Sequence, residues 1–123
     1  MAKSKNAGFD EVFASLKAIL KKLEPKLLVQ ADTDSRYYLN THVVHNKRPV
    51  FFGAVCVMKN YVSYHLMPIY GCPDLIDGLS PELKAHMQGK ACFNFKSVEP
   101  KLFKELAQLT KVGYDRFKKA GFA

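Results

Sequence analysis

The chain predicts an α+β two-layer sandwich: a mostly antiparallel sheet of about five strands, with N- and C-terminal helices packed on one face. Two observations carry this prediction. The hydrophobic period is helical at both ends of the chain and alternating between them, and the middle is rich in β-branched and aromatic residues broken only by the short polar stretches DS, HNKR and KN. Each amphipathic stripe must be buried against one sheet face, which leaves the other face open.

Taken in order, Phe9, Val12, Phe13, Leu16, Ile19, Leu20 and Leu23 recur at i, i+3, i+4, i+7 spacing and form the stripe of a first helix, which Pro25 stops. LLVQADT, RYYLNTHVV, PVFFGAVCVM and YVSYHLM then read as four strands of a meander. Ser80 and Pro81 suit the N-cap and first position of a short helix through Met87, with Gly89 at its C-terminal end. ACFNF supplies a fifth strand. After Pro100, the set Leu102, Phe103, Leu106, Leu109, Gly113, Tyr114 and Phe117 predicts a second long amphipathic helix, with Gly113 as a weak spot or a close-packing point. No linker or repeat divides residues 1–123, and a single domain of this size buries about two-thirds of its unfolded surface.

Composition narrows the function classes. Cys56, Cys72 and Cys92 make an odd count without a CxxC pair, which suggests neither a disulfide framework nor a zinc knuckle and favours a reducing, cytoplasmic setting. The start MAKSKNAGFDEV has no apolar h-region, and no apolar run approaches the length of a membrane span, so neither export nor membrane association is expected. The formal charge of +8 invites a nucleic-acid reading. However, Lys17, Lys21 and Lys22 on the first helix and Lys101, Lys104, Lys111, Arg116, Lys118 and Lys119 on the last are interrupted by acidic residues, and no RNP motif, GxxG clamp or arginine-rich arm accompanies them. Two solvated helix faces and no specific nucleic-acid partner are expected.

The candidate site comes from strand alternation. A two-residue turn at Lys59 and Asn60 pairs Val57 with Val62, Cys56 with Ser63, Val55 with Tyr64 and Ala54 with His65. One face then carries Val55, Val57, Val62, Tyr64 and Leu66, suited to packing under the helices. The other carries Ala54, Cys56, Met58, Tyr61, Ser63, His65 and Met67. The preceding strand joins this second face in one of two ways. A two-residue turn at Asn46 and Lys47 sets Tyr37, Leu39, Thr41 and Val43 beside His65, whereas an odd-length loop sets Arg36, Tyr38, Asn40 and His42 there. The second arrangement is preferred because it sends Leu39 and Val43 to the core and groups the polar residues, with Cys92 and Asn94 able to join by the same alternation. The candidate ligand-binding set is therefore Tyr38, Asn40, His42, Cys56, Ser63 and His65. His65, Cys56 and His42 are the candidate metal ligands, and the segment 69–79 is a candidate lid.

The blocks RPVFFGAV (48–55), KNYVSYHLMP (59–68), SPEL (80–83) and MQGKACFNF (87–95), followed by the final helix with LFKELAQLTKVGYDRFK, resemble in content and order the YdhG-like domain family of unknown function. The resemblance covers most of the chain. It implies a bacterial cytosolic protein with a frataxin-like fold, and it offers one activity, intracellular iron chaperoning, described for some relatives. Cys72 departs from the family's pattern, which speaks against a general role for that thiol. The iron reading meets a chemical difficulty, since hard cations are held by clustered carboxylates. The first helix offers only Asp10 and Glu11 near its N-terminus before turning basic, and Asp32 and Asp34 suit a turn. No GxSxG, HExxH, P-loop or GxGxxG motif is present. The expected function is a non-enzymatic module that binds an unknown small molecule on the polar sheet face, without a cofactor. The alternatives are an iron or metal chaperone and a minor enzyme activity using a Cys/His or Ser/His pair.

Overall fold

The computed structural model describes residues 7–89 and 91–123. Residues 1–6, which hold half of the stretch read for an export signal, lie outside the described residues. Among the described residues the order is α1 (Ala7–Lys21), β1 (Leu28–Asp32), β2 (Arg36–His45), β3 (Arg48–Val57), β4 (Val62–Leu66), α2 (Met67–Gly71), α3 (Pro81–Lys84), β5 (Cys92–Phe95) and α4 (Pro100–Lys119). The strands form one antiparallel sheet in the order β1-β2-β3-β4-β5, the meander expected from the short polar breaks.

Helices α1 and α4 share one sheet face. Val12, Leu16 and Leu20 of α1 and Phe103, Leu106, Leu109, Tyr114 and Phe117 of α4 bury their stripe against Tyr37, Leu39, Val55, Val62, Tyr64, Leu66, Phe93 and Phe95. Aromatic edges knit the layers together. Phe52 meets Tyr114 and Phe117 edge-on at 5.9 and 6.0 Å between ring centroids, and Phe95 meets Phe103 at 4.8 Å. A polar bridge through this core is satisfied internally. Thr110 donates its hydroxyl proton to the carbonyl of Leu106, so Tyr64 donates to the Thr110 oxygen. Gly113 is a close-packing point, because a Cβ there would sit 3.0 Å from Pro68 of α2.

Three expectations need correction. The loop between β2 and β3 is a two-residue turn, with Asn46 and Lys47 both at positive φ and His45 paired with Arg48. The polar alternation nevertheless holds beyond it, because two irregularities reset the register. Leu39 faces Gly53 while Asn40 faces Phe51, so Phe52 is an extra residue in β3 and turns onto the helix face beside Gly53. The short helix from Pro81 ends at Lys84 and does not reach Met87. Met87 instead bridges Phe93, and His86 and Gln88 bond Asn94 and Cys92, covering the outer edge of β5. Finally, the segment 67–80 is tied to α4 on the helix side: Gly71 lies near Phe117, Asp74 pairs with Arg116 at 2.8 Å, and Ser80 bonds Glu105 at 2.7 Å. It does not cover the polar face.

Candidate functional site

Among the described residues no helix packs on the second face of the sheet, and cross-strand pairing arranges its side chains in two rows. One row runs Tyr38, Ala54, His65, Cys92, and the next runs Arg36, Cys56, Ser63, Asn94. Strand alternation aims all eight side chains the same way. Ala54 and Cys56 make a low centre along β3. On one flank Tyr38 packs against Phe51 at 4.6 Å between centroids, and the Arg36 guanidinium sits 5.2 Å from the Tyr38 ring. On the other flank stand Ser63, His65, Cys92 and Asn94. Ser63 is only 4% exposed, whereas Tyr38, Phe51, Cys56, His65, Cys92 and Asn94 are half-buried. The result is an aromatic flank and a hydrogen-bonding flank on either side of β3.

His65 organises the hydrogen-bonding flank. Its Nε2 lies 3.1 Å from Ser63 Oγ and its Nδ1 lies 2.9 Å from Cys92 Sγ, so each ring nitrogen has a partner that can donate or accept. Burial holds the imidazole below its ordinary pKa. Burial also pushes the Cys92 thiol up, with a smaller contribution from Cys56. The Cys56 thiol is raised by burial as well, against a partial offset from Arg36. All three groups are therefore held in their neutral forms near neutral pH. A cysteine nucleophile needs the opposite, a depressed thiol pKa beside a cationic histidine. Asn94 completes the row by donating its Nδ2 to Gln88 Oε1.

The structure brings Tyr38, Cys56, Ser63 and His65 together on this face and adds Cys92 and Asn94. Asn40 keeps this face, opposite Phe51, but is buried at 7% exposure and donates Nδ2 to Gln30 Oε1 of β1 at 3.1 Å. His42 is exposed, in the part of β2 where pairing with β3 is interrupted. The candidate metal set His65, Cys56 and His42 is not assembled, and among the described residues no group of three or more His, Cys, Asp or Glu side chains is placed to hold a metal ion. Of the carboxylates considered for iron, Asp32 is engaged by Lys17 at 2.6 Å, and that hydrogen bond keeps its pKa below the ordinary value. Phe51 and Gln88 belong to the site but were missed in the sequence. The bulge at Phe52 hides the first, and the second lies in a stretch that reads as helix end.

A pH dependence follows from His65. Its folded-state pKa is below the ordinary histidine value of 6.5, so the unfolded chain binds the proton more readily. Stability is full above that value and is lost as the pH falls below it. Chemical denaturation of the wild type and His65→Phe across pH 7.5 to 5 should show the variant losing less stability over this window. Equal losses would mean that His65 does not titrate as its surroundings dictate.

Among the described residues no helix is long and apolar enough to cross a membrane. Compared with known protein families, characterised proteins and solved structures, the chain matches none.

Proposed function

We propose that this protein is a non-enzymatic module that binds a small, flat, hydrogen-bonding molecule on the helix-free face of its sheet. The supporting observation is the double row across that face: small Ala54 and Cys56 in the centre, Tyr38 with Phe51 on one side, and the neutral Ser63, His65 and Cys92 chain on the other. A sheet face built only for solvent would not concentrate two thiols, an imidazole and an aromatic pair, because apolar and weakly polar groups gain little there. The arrangement offers a ring-stacking surface and donors and acceptors that can switch roles. The test compares the wild type with the double variant Ser63→Ala/His65→Phe in a thermal-shift panel of metabolites. The variant should stay folded, losing no more than about 3 kcal/mol for its two hydrogen bonds, and should lose the shift that a bound compound gives the wild type. Undiminished shifts in the variant would move the site off this face.

The resemblance to the YdhG-like domain family supplies a second reading, ferrous iron as cargo in a frataxin-like fold. The favouring observation is the fold itself, two long helices on one face of an antiparallel sheet. The scarcity of free clustered carboxylates works against it, and anaerobic calorimetry should find ferrous iron bound at micromolar affinity or weaker. A stoichiometric submicromolar site would establish the iron reading over the one preferred above.

A further inference from the structure

Far from the sheet's open face, a groove of about 450 Å³ runs between α1 and α4, and lysines from both sides converge on it. Its lining includes Lys22 and Lys26, from the end of α1 and the turn after it, and Lys104 and Lys111 of α4, against a single carboxylate, Asp115. Ile19, Leu23, Ala107 and Tyr114 supply its apolar floor. In the sequence Lys22, Lys104 and Lys111 read as parts of two solvated faces. The packing of the helices turns them toward one another.

We infer that this groove binds a free organic anion with an apolar body, a phosphate or carboxylate carried on a chain or ring. Two observations carry the inference. Neither ion pair among the described residues, Lys17 with Asp32 and Arg116 with Asp74, involves a lysine of the groove. Lys104 and Lys111 are two turns apart on one helix face, and Lys26 holds its ammonium 5.5 Å from the Tyr114 ring, which leaves an aromatic floor under a cationic rim. Four like charges around one concavity repel one another, and an anion in it relieves that repulsion. The volume falls in the range of small-ligand sites and is too confined for a nucleic-acid track.

The probe is decyl phosphate, kept monomeric below its micelle concentration and titrated calorimetrically into the full chain. Three controls accompany it: inorganic phosphate, phosphatidylglycerol vesicles, and two charge-matched double variants, Lys104→Gln/Lys111→Gln in the groove and Lys118→Gln/Lys119→Gln outside it. Saturable one-to-one binding is expected, weakened at least about tenfold by the groove variant, a factor that corresponds to about 1.4 kcal/mol. The outer variant should stay within about twofold, and inorganic phosphate, which makes no use of the apolar floor, should bind at least about tenfold more weakly. Absence of saturable decyl phosphate binding would overturn the inference. So would equal losses in the two double variants, equal affinity for inorganic phosphate, or binding seen only on vesicles. Because the groove and the sheet face share no residue, the outcome is separate from the function proposed above.

Discussion

Replacing Phe52 with alanine is expected to lower the unfolding free energy by about 3–5 kcal/mol, the range for truncating a fully buried aromatic ring. The ring is completely buried and meets Tyr114 and Phe117 of α4 edge-on. The same truncation at Phe51, one residue earlier, should cost no more than about 1.5 kcal/mol, because that ring is half-buried on the opposite face and packs on Tyr38. The contrast reads the bulge directly. In a regularly alternating β3 with Val55 in the core, residues 51 and 53 point inward and residue 52 points out. Urea denaturation of both variants at matched slope decides the matter, and a larger loss at Phe51 would mean that the strand is not bulged as described.

Gly53→Val should be the second severe change, because the bulge presses residue 53 against its neighbours. A Cβ there would lie 3.0 Å from the carbonyl oxygen of His65 and 3.2 Å from Leu20 Cδ2. The oxygen belongs to the backbone of β4, which is paired on both sides and cannot retreat without disturbing both ladders. Alanine should cost about 1–3 kcal/mol and valine more, the usual penalty for overpacking a filled site. Gly71→Ala is the control, with its nearest atom, Phe117 Cε1, at 3.9 Å, and it should change stability by less than about 1 kcal/mol. Thermal melts of the three variants give the ranking, and a Gly53→Val protein as stable as the wild type would remove the close approach of β3 and β4 from this account. Any shift of His65 in the alanine variant also displaces the Ser63–His65–Cys92 chain, which links this packing to the site.

The residues that could be read correctly from sequence are those whose fate depends on local period. The α1 stripe from Val12 to Leu20, the alternation of Val55, Val57, Val62 and Tyr64, and the pairing of Cys56 with Ser63 and Ala54 with His65 all follow from 3.6- and 2-residue spacing plus one short turn. Registers that depend on an inserted residue were not legible. Asn46 and Lys47 do form a two-residue turn, whose unmodified ladder would have placed Tyr37 and Leu39 beside His65. The extra Phe52 and the broken pairing between Asn40 and Val44 reverse that outcome. Hence Tyr38 and Asn40 reach this face for a reason other than the odd-length loop that nominates them, with Asn40 bonded to Gln30 and His42 exposed. From sequence alone the segment 69–79 reads as a lid over the polar face. Its ties to α4 through Asp74 and Arg116 join residues 42 apart in sequence, and no local pattern foretells them. The lysine groove is hidden for the same reason, since Lys22 and Lys104 meet only once both helices are packed.

The claim that the helix-free face is the ligand-facing surface is tested most directly by amide chemical-shift mapping on labelled protein. Compounds that stabilise the wild type in the metabolite panel would be titrated one at a time. The account predicts that the largest shifts fall on Tyr38, Ala54, Cys56, Ser63, His65 and Cys92, the residues of the two rows. Shifts confined to the helix side, in the apolar rim pocket of about 610 Å³ formed by Ile69, Tyr70, Pro73, Ile76, Met87 and Gly89 or in the groove between α1 and α4, would contradict it.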